Sequence, residues 1–183
     1  MTQPLSIVGI PGSLRKDSLG RALLRAIEIA LPEEVTFTVL EAGDLPVFDR
    51  DVETTWDGRL AEIKAIVTAA DGILVCTPEY NGSYSGHVKN SIDWLTRGSN
   101  PFKGKPSAAI AVSGGVGGGV QAANHLRAVL MHLGSPNMPT PRLNLPKAAD
   151  LFDDDLQLVD EAARRYIDRF IPSFLDWVSR FTD

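Results

Sequence analysis

Short apolar runs alternate with amphipathic stretches along this chain, and that rhythm restricts it to few folds. Leu5–Ile10 (LSIVGI), Gly72–Thr77 (GILVCT) and Ser107–Val112 (SAAIAV) are continuous apolar runs, the pattern of parallel strands buried on both faces. Val35–Leu40 adds a fourth strand rich in β-branched residues. Between the strands, helical stripes run over Ser18–Leu31, Asp57–Ala70, Gly86–Thr96 and Gly119–Leu133. Pro32 closes the first of these helices. Pro136–Pro146 holds a weak fifth strand, fit only for an edge because Pro139 and Pro141 interrupt it. A last long helix is expected over Leu156–Phe181, kinked at Pro172. The acidic run Asp153–Asp155 reads as its capped, solvated start. The order βαβαβαβαβα predicts an α/β fold, a five-stranded parallel sheet with helices on both faces. Its 183 residues suit a single domain, 1–183.

Composition narrows the function classes. A net charge of −5 with no run of Lys and Arg argues against a nucleic-acid partner. The single cysteine, Cys76, permits no internal disulfide. It lies inside an apolar strand, so it reads as a buried structural thiol. Met1–Pro4 has no basic region, and Leu5–Ile10 is too short for a membrane span. The expectation is a cytoplasmic protein without a membrane partner. His125 and His132 are seven residues apart on one helix, a rise of ~10 Å, and no Cys or carboxylate cluster completes a site. No metal is expected.

In parallel sheets, ligands bind beyond the carboxyl ends of the strands. That rule selects three loops: Pro11–Ser18, Pro78–Gly86 and Ser113–Gly119. The first joins a strand to a helix start, where unpaired N–H groups and a positive dipole end favour anions. Ser13 and Ser18 add hydroxyl donors, and Arg15 adds a forked cation suited to phosphate. The same residues also fit a plain strand–turn–helix with Ser18 as N-cap. The loop is neither GxGxxG nor GxxxxGK[ST], which argues against dinucleotide-binding Rossmann and P-loop readings. Glu41 is then a loop residue rather than a ribose ligand. In the second loop, Pro and Gly let the main chain lie close to a flat ligand, and Tyr80 can flank it. The third loop, SGGVGGG, permits equally close approach.

Three segments in order, GSLRKDS (12–18), TPEYNGSYSGHVKNSIDW (77–94) and SGGVGGG (113–119), resemble the NADPH-dependent FMN reductase family. This family has a flavodoxin-like fold and includes quinone, chromate and azo-dye reductases. The resemblance covers nearly the whole chain. It implies a flavodoxin-like domain that binds FMN non-covalently, with NAD(P)H as electron donor and a small-molecule acceptor. Ser13, Arg15 and Ser18 would hold the FMN phosphate. Pro78, Glu79, Tyr80, Asn81 and Gly82 would line the isoalloxazine, largely through backbone groups. Ser113, Gly114 and Gly117 would border its other side. Family members often carry Asn where this chain has Gly20, so one phosphate or ribose contact is missing. Glu79 is expected to orient rather than to act as an acid, since the cofactor carries the chemistry. No residue is expected to be catalytic in its own right.

Two other readings share the scaffold. One is a flavodoxin-type electron carrier; the other is a nucleoside transferase with Glu79 as nucleophile. Trp94 falls off the Val88–Ile92–Leu95 stripe of its helix, while His125 and His132 flank the stripe of the next. A second semi-apolar face of this kind suggests a subunit interface. With the resemblance, it points to a homodimer or homotetramer.

Overall fold

The fold is described from a computed structural model covering residues 4–182. In chain order it runs β1 (Ser6–Pro11), α1 (Leu19–Ala30), β2 (Thr36–Val39), a 3-10 turn (Arg50–Trp56), α2 (Asp57–Ala69) and β3 (Gly72–Thr77). Two short strands follow, β4 (Glu79–Tyr80) and β5 (Ser83–Tyr84), then α3 (Gly86–Leu95) and β6 (Ser107–Val112). The chain continues through α4 (Val120–His132), β7 (Asn144–Leu145), a second 3-10 turn (Ala148–Asp150) and α5 (Glu161–Ser179). The main sheet has the order β2-β1-β3-β6-β7, with every neighbouring pair parallel. Every residue of β3 and β6 is buried, as their unbroken apolar runs demand. The edge strand β2 alternates exposed and half-buried residues.

Each face of the sheet carries its own core. Ile7, Leu74, Ile110 and Val112 pack against Leu23 and Ile27 of α1 and Phe170 and Phe174 of α5. On the other face, Val8, Ile10, Val75 and Ala109 meet Ile63, Val88, Ile92, Leu126 and Leu130 of α2, α3 and α4. The chain leaves β1 for β2 on one side, and β3 lies on the other. This reversal of strand order opens a crevice at the carboxyl ends of the strands.

The proline-broken edge is short, as the sequence implies. Ser107 of β6 bridges Asn137, and further on Ala111 and Val112 pair with Asn144 and Leu145. In the gap between, the buried Arg127 of α4 donates to the Ala109 carbonyl at 3.0 Å and to that of Met138 at 3.4 Å. A guanidinium thus replaces a missing ladder partner. Burial pushes its pKa down to about 10.

Three expectations fail. The last helix begins at Glu161, five residues later than its pattern suggests, because Asp160 caps it by accepting from the Ala163 amide at 2.6 Å. Asp153 is not that cap. It accepts from the amides of Asp155 (3.0 Å) and Gln157 (2.8 Å), closing a separate turn. The helix contains Pro172, as expected, on its exposed side. Trp94 is also misplaced by its helical wheel: it is fully buried, 0% exposed. The segment 43–49 folds over α3 and covers it. Its indole donates to the Pro46 carbonyl at 2.9 Å, and Phe48 meets it edge-on at 5.1 Å. Trp94 therefore belongs to no subunit interface.

Candidate functional site

At the carboxyl edge, the loops after β1, β3 and β6 are tied into one structure. Gly12 lies against the end of β3. A Cβ there would sit 2.5 Å from the Cys76 carbonyl oxygen and 2.9 Å from the Thr77 Cα, so only glycine fits. Ser85, buried, donates to the Gly12 carbonyl at 2.6 Å and caps α3 by accepting from the Val88 amide at 3.3 Å. Its own amide donates to the Thr77 hydroxyl at 3.1 Å. One serine thus fastens the first loop to the second. Sequence reasoning passed over it, although Ser before a Gly-led helix is an N-cap signal.

The first loop ends at α1. Ser18 is buried and caps the helix by accepting from the Arg21 amide at 3.2 Å. The amides of Leu19 and Gly20 meet no acceptor among the described residues, and Gly20 is itself buried. Two unpaired donors at the positive end of a helix are what an anion needs. Ser13, earlier in the same loop, is buried, its hydroxyl accepting from the Arg15 amide at 3.3 Å. Arg15 is exposed and turned to Asp17, donating from Nε at 3.1 Å and also from Nη2. The Arg15 guanidinium holds the Asp17 carboxyl below the usual carboxylate range. Glu41 stands apart as a loop residue, held by Arg21 at 2.5 and 2.7 Å.

The second loop is a hairpin. β4 and β5 pair antiparallel, with Asn81 (φ 52°) and Gly82 (φ 73°) at the tip. Positive φ at both central residues is the two-residue turn favoured by Asn-Gly. Pro78 and Glu79 are half-buried, and Tyr80 is 50% exposed at the rim. Glu79 points to the third loop, where its Oε2 accepts from the amides of Gln121 (3.2 Å) and Ala122 (3.3 Å). In that loop Ser113 is half-buried, while Gly114 and Gly117 are exposed. Open space adjoins Gly114 and Gly115, where an added Cβ would meet nothing within 4 Å. Gly118 and Gly119 have positive φ and press on Leu145 and Ala111.

The sequence-derived site residues thus gather at one edge of the sheet. A cavity of about 930 Å³ lies at the opposite edge, beside Leu5, Asp71 and Lys105. It is lined by none of the sequence-derived site residues. Cys76 lies beneath α1, and burial pushes its thiol up to about 12, which makes it inert. Among the described residues no cluster of His, Cys, Asp or Glu could hold a metal ion.

These residues suit FMN. The free helix-start amides and buried serines fit a phosphate, and the glycine loop beside the hairpin is open at Gly114 and Gly115. Similarity points the same way. The family model for NADPH-dependent FMN reductases matches residues 5–150. A quinone reductase of Pseudomonas putida is 37% identical over 97% of each chain. A 2-hydroxy-1,4-benzoquinone reductase of a Burkholderia species is 33% identical, covering 95% of this chain and 96% of its own. Among solved structures, the flavoenzyme NAD(P)H:(acceptor) oxidoreductase FerB of Paracoccus denitrificans superposes with a TM-score of 0.88 at 34% identity, covering 97% of this chain and 98% of its own. With its sheet order, its loops and these relatives, the chain belongs to the NADPH-dependent FMN reductase family.

Proposed function

We propose that residues 1–183 form one FMN-binding domain that passes electrons from NAD(P)H to a small acceptor, a quinone first among them. The observation that carries the site is the pair of unpaired amides at Leu19 and Gly20. With the Ser13 and Ser18 hydroxyls and Arg15, they would hold the phosphate. The main chain of Pro78–Gly82, with Tyr80 at the rim, would line the ring, and Ser113, Gly114 and Gly117 would border its other side. Bound FMN supplies two-electron exchange with nicotinamide and acceptor. The protein's part is to orient both partners over one open face and to limit water there. Exposed apolar side chains at this edge, Tyr80 and Val116, offer flat contact to an aromatic acceptor. The quinone reductases among the relatives support that acceptor class.

Protein mixed with FMN should turn yellow and quench its fluorescence. Anaerobic NADH or NADPH should bleach the colour within the turnover time, and a benzoquinone should restore it. Colour that neither nucleotide bleaches would indicate an electron carrier. No colour at all would defeat the assignment. Arg15→Ala should weaken FMN binding by roughly tenfold, as loss of a charge-assisted contact predicts; unchanged affinity would remove Arg15 from the site.

A cytoplasmic location fits the dependence on NAD(P)H and the lone reduced thiol. Among the described residues no helix is long and apolar enough to cross a membrane. A homodimer or homotetramer, with a small molecule rather than nucleic acid as the other partner, rests on α4 now that Trp94 is buried. The exposed face of α4, including Val120, His125, Ala128, Met131 and His132, carries no Lys, Arg, Asp or Glu, which suits a second copy of the chain. Sedimentation should show an oligomer that Met131→Asp dissociates. A monomeric parent protein would overturn this.

A further inference from the structure

We infer that Glu79 is a positioning residue that sets the spacing between the second and third loops by capping α4 from a distance. The inference rests on the FMN reading of the site. The first turn of α4 has four backbone donors to satisfy. The Val120 amide donates to the Gly117 carbonyl at 3.1 Å, and the Ala123 amide to that of Gly119 at 3.0 Å. The two between, Gln121 and Ala122, have only Glu79 Oε2, at 3.2 and 3.3 Å. The residue at the N-cap position is Gly119, which has no side chain to offer.

A cap normally comes from the residue at the helix start. Here it comes from β4, 42 residues earlier in the chain. Its carboxylate faces the positive end of the α4 dipole, where negative charge is favoured. Ser83 supplies a second tie from the hairpin, its Oγ lying 3.2 Å from Nδ1 of His125. Together these contacts fix the hairpin that would line one side of the ring relative to the glycine loop that would border the other. They also occupy the first free amides of the α4 start. A carboxylate engaged in this way is not a free nucleophile.

Two variants separate positioning by capping from a direct effect of charge. Glu79→Gln keeps a side-chain oxygen that can accept from the same amides, whereas Glu79→Ala has none. In the protein without flavin, hydrogen exchange at the Gln121 and Ala122 amides should accelerate about tenfold or more in Glu79→Ala and stay near the parental rate in Glu79→Gln. With FMN added, Glu79→Ala should raise the dissociation constant roughly tenfold and change the visible circular dichroism of the flavin. Glu79→Gln should keep affinity and dichroism within about threefold of the parent. Parental exchange rates in Glu79→Ala would overturn the cap. Faster exchange with unchanged FMN affinity and dichroism would overturn its role in positioning. Equal damage from both variants would assign the effect to charge and overturn the inference too. If the parent protein itself bound no FMN, the FMN reading would fall, and the exchange rates would still decide the cap.

Discussion

Gly12→Ala should abolish measurable FMN binding and lower stability by about 1–3 kcal/mol or more, the scale of overpacking in a rigid site. The added methyl would lie 2.5 Å from the Cys76 carbonyl oxygen, 2.8 Å from Pro78 Cδ and 2.9 Å from Thr77 Cα. These atoms belong to the main chain and to a proline ring, so no flexible side-chain tip can swing away. The loop after β1 must lift from the end of β3, and the Ser85 bond to the Gly12 carbonyl goes with it. The serines and the α1 amides then lose their place relative to the hairpin. Gly114→Ala is the control for stability. Its methyl meets open space, so its unfolding midpoint should match the parent. Denaturant melts with FMN titrations make the comparison, and a Gly12→Ala protein that binds FMN like the parent would refute this account of the site.

Trp94→Ala should cost about 3–5 kcal/mol, as deletion of a buried large aromatic does. The indole is wholly enclosed by α3 and the segment 43–49. Its loss leaves a void and removes the donor to the Pro46 carbonyl. Asn90 would still hold that segment, through the Phe48 amide (2.7 Å) and the same carbonyl (2.8 Å), beside the Arg59–Asp44 pair (2.7 Å). The stability loss should not depend on protein concentration, because Trp94 contributes to the fold of one chain. A loss under about 1 kcal/mol, or one that concentrated protein restores, would return Trp94 to an interface.

The contrast between Trp94 and the strands shows what a linear reading can find. The buried strands are visible because β3 and β6 bury both faces and leave no room for a polar residue. The loops are visible because parallel strands place their exits at one edge, and because Gly, Ser and Asn mark tight turns. A helical wheel, however, records only which residues share a side of one helix. It could not see that residues 43–49, remote in sequence, cover the side Trp94 occupies. The same limit hides the Glu79 cap, whose partner amides lie 42 and 43 residues away. The Asn81-Gly82 turn carried a local hairpin signal that the strength of the surrounding motif obscured. At α5, three aspartates competed with Asp160 as helix start, and spacing alone could not rank them. Arg127 is illegible for another reason: its role exists only because prolines interrupt the neighbouring edge strand.

The burial of Cys76 matters most for the chemistry nearby. Quinones are electrophiles that undergo Michael addition with thiolates, so an enzyme that handles them risks arylating itself. This chain has one sulfhydryl. It is sealed in the central sheet beneath α1, and burial keeps it protonated across the physiological range. The protein can therefore turn over reactive acceptors at its rim without presenting a soft nucleophile to them.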